Sequence, residues 1–251
     1  MTNTFFSVII PSFNSGKSIL ACLRSLELQI DQDFEVILID DCSTDNSFEM
    51  ANEKIIKTFS YYRVLQNKEN YGVSHTRNLG INNANGEYLV FLDSDDTFHP
   101  EKLAILREVF INKYIQFLFH PYTYSDFSGV EVKKIQKINK NSLKIRNQIQ
   151  TSCVAIKKSS IKFFDTSMSH CEDYDLWLRL SKHMDIYKLN RPLTRLGRPQ
   201  LTEGGLSGNV KAMRKGEREA LRNNFSGIEL LVLLLFSYLK KFRRVVFKHV
   251  E

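Results

Sequence analysis

From Phe5 to Leu92 the chain alternates uninterrupted apolar runs with polar loops, and with stretches whose apolar residues recur every three or four positions. The first pattern is that of strands covered on both faces, the second that of amphipathic helices. A strand is predicted over Phe5–Ile10, after which Asn14 or Ser15 can cap a helix carrying Ile19, Leu20, Leu23 and Leu26 on one face. "FEVILID", Phe34–Asp40, reads as a second strand, and "DDCSTDNS" supplies capping residues for a helix around Phe48–Phe59. "YYRVLQN" makes a third strand, a helix follows from Val73 to Asn83, and Tyr88–Leu92 is a buried strand that ends abruptly in carboxylates. This repeated order argues for an α/β fold with a parallel, doubly wound sheet.

Beyond Phe110 the pattern loosens into short strand candidates, "IQFLFHPY", "GVEVKKI" and "TSCVAIKK". In "CEDYDLWLRL" the residues Leu176, Trp177 and Leu180 return to helical spacing behind the acidic pair Glu172-Asp173, which suits a helix N-terminus. No internal repeat or low-complexity segment interrupts the chain.

Composition narrows the picture only a little. With 251 residues and 43% hydrophobic content, the chain has enough apolar material for one large core or two joined lobes. Cys22, Cys42, Cys153 and Cys171 are scattered without C-x-x-C spacing, which indicates neither a zinc site nor a disulfide framework and fits a reducing cytoplasm. "MTNTFFSVII" lacks the basic start of a secretion signal, so none is expected. The net charge of +7 favours an anionic partner, and the basic residues gather late, in Lys133–Arg146, Arg191–Arg198 and Lys240–Lys248. No interleaved aromatic and basic motif points to nucleic acid.

"SVIIPSFNSGKSIL" raises the possibility of a P-loop kinase or NTPase. That motif needs glycine five positions before the Gly of its Gly-Lys-Ser, and Pro11 stands there. Proline has no N–H with which to open a phosphate nest. More informative are Asp40-Asp41 and Asp93-Ser94-Asp95-Asp96, two acidic clusters at the ends of apolar strands. Parallel strands bring such ends to one edge of the sheet, where open α/β folds bind ligands. Clustered carboxylates there favour a hard cation, Mn²⁺ or Mg²⁺, shared with substrate phosphates. Polar turns with helix-capping aspartates are the plainer reading of the same residues.

Taken in order, "SVIIPSFN", "VILIDDCSTDNS", "GVSHTRNLGI", "GEYLVFLDSDD" and "EDYDLWLRL" resemble the motifs of family 2 glycosyltransferases, inverting enzymes of the GT-A fold, over about Phe6–Leu180. The resemblance implies a Rossmann-like, mostly parallel sheet flanked by helices. Residues 1–100 would form the nucleotide-sugar-binding half, 101–210 the acceptor-binding half with the catalytic base, and 211–251 a basic helical tail. It implies that Pro11, Ser12 and Asn14 line the base pocket and that Asp41 bonds the base. Asp93 would hold the ribose with Ser94 beside it, and Asp95 would bind the metal bridging the phosphates. Asp40 and Asp96 would support them, and Arg77 would order Asp93 or the base. Asp173 is the expected general base, with Glu172 its rival; Cys171 stands where such enzymes often have glycine. "TEGGLSGN", Thr202–Asn209, suits a loop closing over the donor, or a plain surface loop. The implied activity is metal-dependent transfer from a nucleotide-diphosphate sugar, UDP favoured, to a glycan or lipid-linked acceptor. A silent sugar-nucleotide or nucleic-acid binding module is the alternative from another class.

In the tail, "IELLVLLLFSYL" is shorter than the roughly 20 residues a membrane span needs. On a helix Ile228, Leu231, Leu235, Leu239, Phe242 and Val246 share a stripe, with Lys240, Arg244 and Lys248 away from it, and "KKFRR" follows the apolar run at once. Two fates suit it: packing on the domain, or lying on an anionic membrane surface through residues 228–248, peripheral on the inner face of the cytoplasmic membrane.

Overall fold

The computed structural model describes residues 4–127, 134–198 and 208–247, with side chains as far as Leu239. Six of its strands come from the expected runs: β1 (Phe6–Ser12), β2 (Phe34–Asp40), β3 (Tyr62–Gln66), β4 (Tyr88–Phe91), β6 (Phe117–Phe119) and β9 (Val154–Lys157). Helices α1 (Ile19–Glu27), α2 (Ser47–Thr58), α3 (Val73–Asn83) and α4 (Lys102–Asn112) alternate with the early strands. Together with β8 (Ile135–Lys137) and β10 (Tyr187–Leu189), the six strands form one eight-stranded sheet in the order β3-β2-β1-β4-β9-β6-β10-β8. β1, β2, β3 and β4 are mutually parallel, and β9 runs against both β4 and β6. A short second sheet, β5 (Thr97–Phe98), β11 (Thr194–Arg195) and β7 (Tyr122–Thr123), lies beside the end of β4.

Apolar side chains fill both faces of the large sheet. On one face Val8, Ile10, Val36 and Leu38 pack against Ile19, Leu23 and Leu26 of α1. On the other, Ile9, Ile37 and Phe91 join Trp177 and Leu178 of α6 (Glu172–Ser181). β1 and β2 are buried along their whole length, which is why neither sequence alternates. β1 also runs two residues past the expected end, through Pro11. Its pairing with β4 stops at Ile9↔Phe91, so the missing N–H falls where β1 has no partner on that side.

The chain closes with α5 (Lys140–Ile145), packed against α6, and with α7 (Val210–Asn224) and α8 (Gly227–Phe247). Ala220 and Leu221 of α7 and Leu233 of α8 are buried in the core face that holds Trp177. Gly216 of α7 meets the backbone of His170, and a Cβ there would collide with the His170 carbonyl oxygen. Of the "GVEVKKI" candidate, Ile135 lies in β8 and residues 129–133 lie outside the described residues; so do residues 202–207 of the predicted closing loop, while Asn209 caps α7. Among the described residues no helix is long and apolar enough to cross a membrane.

Candidate active site

The parallel register brings Ser12 opposite Asp40, so both strands empty into one edge, where β4 also ends. The loops after β1 and β2 are laced together there. Asn14 donates its backbone N–H to Ser43 Oγ at 2.9 Å and accepts from the Thr44 N–H at 2.8 Å. Its φ of 47° lies in the left-handed region that Asn tolerates better than most residues. The Gly16 N–H, which a P-loop would aim at phosphate, donates instead to the Asp45 carboxylate at 3.1 Å. An anion there would meet a negative charge, and the kinase reading fails on that contact. Pro11 and Ser12 are buried, the Ser12 hydroxyl lying 2.6 Å from that of Ser15.

The two aspartates after β2 do different work. Asp40 is fully buried and accepts from the Ser43 N–H and hydroxyl and from Gln66, which fixes the turn. Asp41 Oδ1 accepts from Asn67 and the Tyr71 N–H, and Oδ2 from the Gly72 N–H at 2.8 Å. Oδ1 is thereby filled and Oδ2 keeps one lone pair.

Arg77 joins the two halves of the chain. Its guanidinium is buried and donates to Asp93 Oδ1 at 2.8 Å and to Glu172 Oε1 at 3.0 Å. It lies 5.4 Å from the centre of the Phe164 ring. Burial opposes its charge, but Asp93 and Glu172 outweigh that and hold its pKa above the usual arginine range. The carboxylate-bearing turn is thus tied directly to the start of α6.

That turn is gripped from behind. Ser152, fully buried, accepts the Asp93 N–H on its hydroxyl at 3.0 Å, and its carbonyl accepts from Lys102 Nζ at 2.8 Å and from the Thr194 hydroxyl at 2.8 Å. Lys102 is itself fully buried against the Phe98 ring, and desolvation lowers its pKa to about 7. Asp96 turns inward to the Gly197 N–H at 3.0 Å; burial, then Asp93, push its pKa up to about 7. Gly197 has no room for a side chain, because a Cβ would collide with the Asp95 carbonyl oxygen. Asp95 and Ser94 remain partly open, and Asp95 Oδ2 pairs with Arg198 Nε at 2.7 Å.

That pair bears on the metal reading. A guanidinium already rests on Asp95, so its carboxylate faces a place where positive charge is stable. Among the described residues no group of three His, Cys, Asp or Glu side chains could hold a metal ion. The residues therefore fit a divalent ion held by Asp95 and completed by phosphate oxygens and water, and do not fit a site made of protein ligands alone. Should Asp95 hold such an ion together with a nucleotide diphosphate, replacing Arg198 with Gln is expected to tighten Mn²⁺ binding roughly three- to tenfold, the scale of an exposed pair, in calorimetric titration of the UDP-bound protein.

Across the site, α6 begins at Cys171, whose φ of 60° and ψ of 24° place it in the left-handed conformation that favours glycine. Its buried thiol lies 3.3 Å from the Met213 carbonyl of α7, which helps hold a backbone costing roughly 1–2 kcal/mol. Asp173 is half-buried and accepts from the Tyr174 N–H at 2.6 Å and from Asn147 at 3.3 Å. Desolvation first, and the Glu172 carboxylate second, push its pKa up to about 7. Glu172 is engaged by Arg77. Trp177 packs edge-on to Phe117 and Phe164 in the core behind them, as its helical spacing predicts.

A mostly parallel sheet whose strands end in a carboxylate turn, tied by a buried arginine to the start of α6, has the architecture of a GT-A glycosyltransferase. The chain belongs to glycosyl transferase family 2, whose model matches residues 7–169. An uncharacterized glycosyltransferase of Haemophilus influenzae is 34% identical over 75% of this chain and 66% of its own, so this chain spans just under two thirds of that relative. The Escherichia coli UDP-Glc:alpha-D-GlcNAc-diphosphoundecaprenol beta-1,3-glucosyltransferase WfgD is 28% identical over 76% of this chain and 75% of its own. Among solved structures, S. aureus TarS 1-349 in complex with UDP-GlcNAc superposes with a TM-score of 0.71 at 22% identity, over 89% of this chain and 68% of that one. At that identity the likeness establishes the shared fold.

Proposed function

We propose that the protein transfers a hexosyl or N-acetylhexosaminyl group, with inversion, from a UDP-sugar to a hydroxyl of a lipid-linked glycan in bacterial surface-polysaccharide assembly, with a divalent ion, Mn²⁺ or Mg²⁺, at Asp95. The observation that carries this reading is the Arg77 bridge, which sets Asp93 and the Glu172-Asp173 pair on either side of one guanidinium. A donor held by the first group presents its reacting carbon towards the second. Uridine suits the remaining lone pair on Asp41 Oδ2, which takes an imide N–H. The UDP-Glc in WfgD's name and the UDP-GlcNAc bound to TarS favour the same base, and the diphosphoundecaprenol acceptor in WfgD's name favours a lipid-linked glycan.

In this mechanism Asp93 holds the ribose, with its orientation fixed by Arg77 and by the Ser152 hydroxyl behind its backbone. Pro11, Ser12 and Asn14 shape the base pocket through a loop that Ser43 and Thr44 hold in place. When bound, the divalent ion at Asp95 neutralises charge on the leaving diphosphate. Asp173 takes the proton from the acceptor hydroxyl, its pKa near neutrality suiting it to accept one and pass it on. Glu172, neutralised by Arg77, orients the helix start rather than moving the proton.

Calorimetric titration with UDP, GDP, dTDP and ATP, each with Mn²⁺ or with chelator, tests the donor assignment. UDP is expected to bind with metal and far more weakly without it, and Asp95→Ala is expected to abolish the difference. Tight ATP binding, or a metal effect on UDP affinity in Asp95→Ala as large as in the wild type, would overturn it.

A further inference from the structure

Helix α8 has two apolar faces, and only one is used by the fold. Leu233 is 7% exposed and packs with Leu230 and Leu234 towards α7 and the core. The roll of the helix is fixed on that side by the Lys144–Glu229 ion pair at 2.8 Å and by Arg214 Nη1 donating to the Ser237 carbonyl at 3.4 Å. The stripe predicted from the sequence points the other way. Ile228 is 80% exposed, Leu231 67%, Leu235 59% and Leu239 50%, with Val232 and Phe236 flanking them.

A helix face turned to water ordinarily carries charge. Between Ile228 and Leu239 the polar side chains are Glu229, Ser237 and Tyr238. Glu229 is held by Lys144, and Ser237 is buried. The outer face therefore offers almost nothing for water to bond, over about three turns, roughly 18 Å and too short to cross a bilayer. The chain then continues through Lys240, Lys241, Arg243, Arg244 and Lys248 with no acidic residue among them. A contiguous apolar face of this size marks a surface that is covered in use.

We infer that this face lies on an anionic membrane, its leucines in the acyl boundary and its basic end among the headgroups. Charge decides between this occupant and a second copy of the chain. Two copies joined in parallel by this face would bring like-charged basic ends together, and joined antiparallel would leave both basic ends without an anionic partner, whereas anionic lipid neutralises them. The inference does not depend on the assigned donor, metal or base.

Flotation of the full-length protein with vesicles of phosphatidylcholine, with and without phosphatidylglycerol, tests it. The protein is expected to float with the anionic vesicles and to stay largely behind with the neutral ones. Leu231→Ser with Leu235→Ser should abolish flotation while the melting temperature and UDP affinity stay unchanged, since neither side chain packs in the fold. Replacing Lys240, Lys241, Arg243 and Arg244 with Gln should lower partitioning roughly a hundredfold or more and remove the preference for anionic lipid. Failure to float, or flotation indifferent to the two leucine changes, would overturn the inference. So would a dimer in light scattering that the same leucine changes convert to monomer, because that result would give the face to a second copy.

Discussion

Replacing Asp173 with Asn is expected to lower turnover by roughly 10²- to 10⁴-fold while leaving nucleotide and metal affinity as they are in the wild type. The amide keeps the acceptor oxygen that the Tyr174 N–H uses, so the start of α6 is preserved, but it cannot take a proton. The pH profile gives the sharper check. The base must be ionised to act, and its pKa stands near 7, raised by burial and by Glu172. Wild-type turnover should therefore climb as pH rises towards about 7 and level off above it, and the residual turnover of the variant should lack that limb. Stability runs the other way. A carboxyl with a raised pKa favours the folded state when protonated, and this contribution is lost as pH rises through the folded value. Above neutral pH the Asn variant should thus unfold at a temperature no lower than the wild type. An Asp173→Asn enzyme with near-normal turnover would return the base to Glu172.

The second large effect is expected at Arg77. Arg77→Met should cost about 3–5 kcal/mol of stability, because it leaves Asp93 and Glu172 near one another without the cation that serves both. Denaturant unfolding measures that loss directly. Lysine is a poor replacement: one ammonium on a flexible stem does not reproduce two parallel N–H bonds to carboxylates that lie 95 residues apart for one partner and 16 for the other. Arg77→Lys should recover part of the stability and little of the nucleotide affinity. A variant as stable as the wild type would show that the bridge is dispensable.

The early strands and helices were legible because each is long and carries its own period. β1, β2 and α3 need no distant partner to be recognised. β8 and β10 have three residues each and are strands only through the pairing of Tyr187 with Leu118 on one side and Lys137 on the other. The acidic positions were equally legible, since each stands at the end of an apolar run. Their supports were not. Ser152 and Arg198 reach the carboxylate turn from 59 and 103 residues away, and Lys102 supports it only through Ser152, 50 residues further on; no local pattern signals this. Arg198 carried one faint sign, as the last of the basic residues from Arg191 onward. For α8, periodicity found a real stripe, but the helix is apolar on two sides, and sequence spacing alone does not say which side the fold uses.

The grip of Ser152 and Gly197 on the carboxylate turn also sets an order of events during synthesis. The four parallel strands and their helices are made before β9 and β11 and can pair with one another, yet the turn after β4, held early by Arg77, lacks the Ser152 and Gly197 contacts until β9 and then β11 have been made. A nascent chain stopped in the middle thus holds a recognisable sheet with an incompletely supported carboxylate turn. Long-range closure of this kind is slow and leaves sheet edges open while it waits. The carboxylate turn therefore gains its last support only after Gly197 has been made.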